Sequence, residues 1–313
     1  MVMEKNNDLS ALRPRSSQAA ISAGYRLFVS NFKHLFRASW LLAVIYALTM
    51  GVFACHFFQN VLPLLYQSDG LTGNSTTLVI GGALLLLFIL IAAVFASVGF
   101  YAMSVHKDTG AIPRPARWYG LFHAGIAMRT IVSALWIVAT VIVVTAALVG
   151  VSYGMKQMTG VSTLTDSVTS MTVLAVVTIL ILTAALPLAY SVVSGIVFKK
   201  KFGWRTPVED YGKGIRHLGK LFLIALVVVI VTLLLTFVGQ MPGHVLTIAH
   251  LLAQAGHAQG APLGMPDNIG LITFGVFTLT GFIQAYIHLS TIFPFYYAVG
   301  GEEQNQQTAT TTT

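Results

Sequence analysis

Six apolar runs, each near or above the roughly 20 residues that a helix needs to cross a hydrocarbon layer, dominate this chain. They cover about residues 40–58, 78–104, 131–151, 171–198, 221–238 and 271–299. A water-soluble fold of 313 residues has no interior that could hide them. Hydrophobic residues make up 56% of the chain and charged residues 9%, with a mean hydropathy of +0.78. Backbone buried in lipid must satisfy its own hydrogen bonds, so runs of this length are expected to be helices. The expected fold is an all-α integral membrane protein whose six transmembrane helices pair into three hairpins.

Lysine and arginine placement sets the orientation. Lys5, Arg13, Arg15, Arg26, Lys33 and Arg37 precede the first run; Lys107, Arg114, Arg117 and Arg129 lie between the second and third. Lys199, Lys200, Lys201, Arg205, Lys213, Arg216 and Lys220 lie between the fourth and fifth, whereas Lys156 stands alone on the opposite side. This asymmetry puts both termini in the cytoplasm and the protein in the cytoplasmic (inner) membrane as a multi-pass chain. The formal net charge of +8 does not call for nucleic acid, because the cations border apolar spans and form no polar stripe. They fit anionic lipid headgroups instead.

The basic joints repeat. Pro115–Gly120 reads PARWYG and Pro207–Gly212 reads PVEDYG, while YRLFVSNFKHLF from Tyr25 places Leu-Phe where YGKGIRHLGKLF from Tyr211 also has it. The recurrence of about 93 residues marks internal repetition. Each hairpin is expected to follow an amphipathic interfacial helix: Ile21, Tyr25, Phe28, Phe32 and Leu35 share one face, and Arg26, Lys33 and Arg37 point to headgroups. In the third joint Pro207 suits a first helical turn, Glu209 and Asp210 its positive end, and Arg216 and Lys220 share a headgroup-facing side. The expected division is a disordered arm over 1–17, one membrane domain over 18–300 with repeats at about 18–110, 111–203 and 204–300, and a disordered tail over 301–313. The second, fourth and sixth spans are longer than their partners and are expected to tilt or to continue past the bilayer.

With the opening GYRLFVSNFKHLFRASW and recurring Tyr-Gly joints, the chain resembles the bacterial six-span inner-membrane proteins of the YciC type. The membrane domain of some glycerophosphodiester phosphodiesterases has a similar layout. That resemblance implies a helical membrane bundle and brings no catalytic motif. Too little polar sequence lies outside the spans to fold a hydrolase domain beside it.

Polar side chains within spans point to a functional site, because lipid is a costly place for them. The sixth span carries Thr278, Thr280, Gln284, His288, Ser290 and Thr291, with Gln284 and His288 on one face. The fourth carries Thr183, Tyr190, Ser191 and Ser194. Gln284, His288, Tyr190, Ser194 and Thr183 are the candidate substrate-binding residues, weighed against a packing network of interhelical hydrogen bonds. Pro187 and Pro294 are expected to kink their helices.

No catalytic, cofactor or metal site is expected. His244, His250 and His257 lie on the polar side of a short outer-surface helix, with Val245, Ile248, Leu252 and Ala255 opposite, and none is four residues from another. The single cysteine, Cys55, provides no disulfide and reads as a packed thiol. The leading expectation is a non-enzymatic membrane protein that handles lipid or another amphiphile, or scaffolds a membrane-protein partner. A small-solute channel or facilitator along spans four and six is one alternative. A histidine-iron oxygenase of the carotene dioxygenase kind is another, though the nine histidines fall at unmatched depths.

Overall fold

One unbroken helix, α1 (Ser17–His56), carries both the first amphipathic segment and the first apolar run. The computed structural model describes residues 16–66, 75–112, 123–159, 183–199 and 201–311, and among them there is no strand. The expected arm lies largely outside these residues, as do the PARWYG joint and the outer part of the fourth span. The interfacial helix foreseen over 21–37 is not a separate element. No glycine or proline interrupts residues 25–50, and the Ser16 hydroxyl caps the start by accepting from the Ala19 amide at 3.3 Å.

A π-helical turn (Phe57–Val61) and a 3-10 turn (Leu62–Tyr66) follow. Then come α2 (Ser75–Thr109), α3 (Ala124–Thr159) and α4 (Thr183–Phe198), the last closing in a π-helical turn from Ser194. The third joint is three pieces where one cationic helix was expected: α5 (Thr206–Glu209), α6 (Tyr211–Arg216) and the start of α7 (Leu218–Gly239), broken at Asp210 and His217. Pro207 does occupy the first turn of α5. α8 (Met241–Ala258) and α9 (Ile269–Thr311) complete the chain.

Five of these helices are long and apolar enough to cross a membrane. The chain is an all-helical protein of membrane-spanning type. Their outer faces bear this out: Leu233, Leu234 and Val238 of α7 are 63%, 63% and 71% exposed, tolerable only against lipid. At 43 residues, α9 is about 64 Å long, roughly twice the hydrocarbon thickness. It runs through Glu302 and Glu303, where a disordered tail was expected.

The core forms where α1 lies antiparallel along α9. Ala43, Ala47 and Gly51 repeat every fourth residue on the buried side of α1, the small-residue seam by which membrane helices approach closely. Gly51 faces Phe274 and Thr278, Gly281 faces Met50 and Ala47, and Gly24 faces the backbone of Phe293 and Pro294. Aromatic rings fill the wider end: Phe28 meets Phe293 at 5.3 Å and Phe36 meets Tyr286 at 5.4 Å. Pro294 sits inside α9 without ending it.

α8 departs from expectation. It packs on α9 with its polar side inward, where His250 is 2% exposed and bonds Thr273 at 3.0 Å. Val245, Ile248 and Leu252 are 65%, 56% and 67% exposed on its outer side. A helix that buries histidine and exposes aliphatic residues is inverted relative to one bathed in water.

Candidate functional site

The fourth and sixth spans do not share one polar face. Gln284 Nε2 lies 3.1 Å from His288 Nε2, and His288 Nδ1 lies 3.3 Å from the Tyr46 hydroxyl of α1. Tyr190 and Ser194 instead donate to Glu303 Oε1, at 3.2 and 3.0 Å. Glu303 and His288 stand on one helix, fifteen residues apart (303 − 288), or about 22 Å. Thr183 is exposed at the start of the described part of α4, one turn before Pro187. The hydroxyls of α4 turn to the third joint instead, Ser191 bonding the Thr206 carbonyl at 3.3 Å.

That joint builds an ionic cluster around the buried Asp210 at the end of the bundle that holds both described termini. Ser194 lies 3.1 Å from Asp210 Oδ2, and the Asp210 amide donates to Ser191 Oγ at 3.1 Å. Lys199 reaches Asp210 at 2.9 Å and Glu209 at 2.8 Å; Lys213 reaches Asp210 at 3.3 Å and Glu303 at 3.6 Å. Lys220 meets Glu302 at 2.9 Å. Burial by itself raises the Asp210 carboxyl, but Lys199, Lys213 and the Ser194 hydroxyl outweigh it and hold the group below its ordinary value. Burial likewise lowers the Lys199 ammonium, and its bonds to Glu209 and Asp210 reverse this and raise it. Asp210 was expected to favour a helix N-terminus; its side chain caps none and serves these cations instead.

The same end shows a repeated aromatic pair. Tyr190 of α4 stacks on His217 of the third joint, with centroids 5.9 Å apart and planes at 18°. Tyr101 of α2 stacks on His123 at the start of α3, at 5.6 Å and 9°. The glycine contacts repeat too, since Gly214 abuts the Pro187 backbone as Gly24 abuts Pro294. Beside the first pair, the Glu303 carboxylate occupies the space next to the tyrosine hydroxyl. Beside the second lies a cavity of about 450 Å³ lined by Tyr101, Lys107, His123, Arg129, Phe198 and Lys199, among others.

Cations line this cavity. Lys107 donates to the Val197 carbonyl at 3.1 Å, and Arg129 to the Lys199 carbonyl at 3.1 Å, so the C-terminal carbonyls of α4 draw both charges to the wall. Lys107 also sits 5.7 Å above the Phe198 ring. Of the expected headgroup contacts, Arg26, Lys33, Arg37 and Arg216 are exposed, and Arg26 lines a second cavity of about 440 Å³ with Ser30 and Tyr297. Lys220 is tied to Glu302. Glu302, Glu303, Lys199, Tyr101 and His123 carried no local motif; the one available hint was that a joint dense in lysine needs buried counterions.

Among the described residues no three His, Cys, Asp or Glu side chains stand together as a metal would require. His56 and His288, the histidines expected at spans, bond Thr77 and Tyr46 respectively. No protein-family model matches the chain, and no curated protein or solved structure is similar to it.

Proposed function

We propose that this protein binds and handles anionic amphiphiles in the inner membrane, taking their headgroup into the cavity between Tyr101, Lys107, His123 and Arg129. One observation carries the reading: the Tyr190–His217 pair has a carboxylate, Glu303, seated beside it, whereas the matching Tyr101–His123 pair borders an open cavity in which Lys107, Arg129 and Lys199 outnumber the one carboxylate, Asp108, 3.4 Å from Lys107. The chain's own carboxylate beside the first pair supports an anionic group beside the second, and Tyr101, Val105, Ile126 and Phe198 offer wall for an acyl chain. Basic residues at membrane boundaries attract anionic lipid in general; a cleft walled by an aromatic pair adds shape.

In this reading the fold has six spans, the five long apolar helices and a fourth span that ends in α4, and three hairpins, with both termini cytoplasmic. The recurring Gly–Pro and Tyr–His contacts support the repeat, as does the resemblance to the YciC type. Native mass spectrometry of protein in phosphatidylcholine nanodiscs, titrated with phosphatidylglycerol, tests it. Lys107→Gln with Arg129→Gln is expected to weaken lipid retention about tenfold or more, by removing two charge-assisted donors. Unchanged retention in the double variant overturns the reading.

A further inference from the structure

At the opposite end of the bundle lies a cavity of different chemistry, and we propose that it binds the uncharged, hydroxyl-rich headgroup of a sugar-bearing amphiphile. It measures about 620 Å³ and is lined by Cys55, His56, Gln59 and Asn60 of α1 and its π-helical turn, and by Asp267, Asn268, Gly270 and Phe274 around the start of α9.

The π-helical turn makes the polar wall. It adds a residue to the coil, so Leu62 bonds back to the Phe57 carbonyl, and such turns in α-helices frequently mark functional positions. The Gln59 amide on this turn lies directly against the Gly270 backbone of α9, where a side chain would have no room, and Asn60 bonds back to the His56 carbonyl at 3.3 Å. His56 is fixed: Nε2 donates to the Thr77 carbonyl at 3.2 Å and Nδ1 accepts from Asn60 at 3.3 Å. The ring therefore braces Asn60.

The donor set selects the ligand. Asn268 offers an amide donor and a carbonyl acceptor, Gln59 an amide donor, Asn60 a carbonyl acceptor, its amide being spent on His56, and Asp267 a carboxylate. Vicinal hydroxyls, which donate and accept at once, match such groups. No lysine or arginine lines this cavity, so a phosphate would meet Asp267 without a counter-charge. The remaining wall is apolar: Val52, Leu84, Leu271 and Phe274 face it, and Val52 and Leu271 are 44% and 72% exposed on the lipid side. A chain leaving the headgroup has an apolar exit.

The test measures equilibrium binding of radiolabelled dodecyl maltoside, below its micellar concentration, to full-length protein in phosphatidylcholine nanodiscs. Dodecylphosphocholine, with the same chain and a charged head, is the comparison. Saturable maltoside binding is expected, weakened about tenfold or more in Asn60→Leu and Asn268→Leu, which remove two hydrogen-bonding amides. Equal binding of both probes, or unchanged binding in both variants, overturns the proposal. Should either variant fail to fold, a photoreactive maltoside on the wild-type chain decides: crosslinks within residues 52–60 or 267–274 support it, and crosslinks confined elsewhere overturn it. The lysine and arginine changes at the other end leave this result untouched, so the two sites succeed or fail separately.

Discussion

Ser194 Oγ lies 3.0 Å from Oε1 of Glu303, tying the middle of the chain to its last helix across 109 residues. The same hydroxyl is 3.1 Å from Asp210, and one hydroxyl hydrogen cannot serve two carboxylates fully at once. Both acids therefore depend on lysines, Asp210 on Lys199 and Lys213, Glu303 on Lys213. Fourth span, third joint and ninth helix are held as one ionic unit.

Glu303→Gln is expected to destabilise the protein by about 1–3 kcal/mol, because Tyr190 and Ser194 lose a charged acceptor in a nearly enclosed setting. Glu302→Gln removes the pair with Lys220 and a long contact with His217 but strands no hydroxyl donor, and should cost no more than about 1 kcal/mol. Thermal unfolding in detergent micelles measures both. A larger loss at Glu302 than at Glu303 contradicts the account.

Acid should unfold the bundle through the same cluster. Asp210 is held below its ordinary value of 3.8, so its contribution is fully present above that pH and is lost as pH falls through the lower folded value. Lys199 is held above 10.5, so its contribution is present below that pH and is lost as pH rises through the folded value. Stability from this pair is flat between those limits. Asp210→Asn should abolish the acid-side decline attributable to Asp210, which a pH series of unfolding midpoints for the two proteins reads directly.

Close backbone approach gives a third expectation. A Cβ at Gly214 would lie 2.6 Å from the Cα and carbonyl oxygen of Pro187, and at Gly24 about as near to Pro294. Backbone cannot yield as a side chain can, so Gly214→Ala and Gly24→Ala should each cost about 1–3 kcal/mol. Gly82 and Gly275 have nothing within 4 Å, and alanine there should stabilise by up to about 1 kcal/mol through helix propensity. Unfolding midpoints that fail to separate the two pairs count against the packing described.

The apolar runs revealed the helices because lipid imposes a composition that no soluble core needs. The continuity of α1 was less legible: residues 21–37 alternate like a surface helix, yet nothing in them breaks the axis that continues to His56. Polar residues within spans drew attention to Gln284, His288, Tyr190 and Ser194, but not to what the last two touch. Glu303 lies 109 residues beyond Ser194, and pairings at that range leave no local pattern. The Tyr101–His123 cavity was hidden likewise, since its walls come from three helices whose mutual placement only packing decides.

α8 offers the sharpest remaining contrast. Val245, Ile248 and Leu252 face outward and His250 inward, so the outward side must meet lipid if the helix is embedded, and water if it is not. With Cys55 changed to alanine, single cysteines at Val245, Ile248 and Leu252 should react with a membrane-soluble maleimide and resist a charged one. His250→Cys should resist both, because that side chain is 2% exposed and sits against Thr273 and the Phe58 ring. Stacking on Phe58, with centroids 4.8 Å apart, further means that losing the imidazole should loosen the contact between α8 and the turns after α1, lowering the unfolding midpoint by several degrees. Fast reaction of the Val245, Ile248 and Leu252 cysteines with the charged reagent would show α8 standing in water, and the inverted packing would then need another cause.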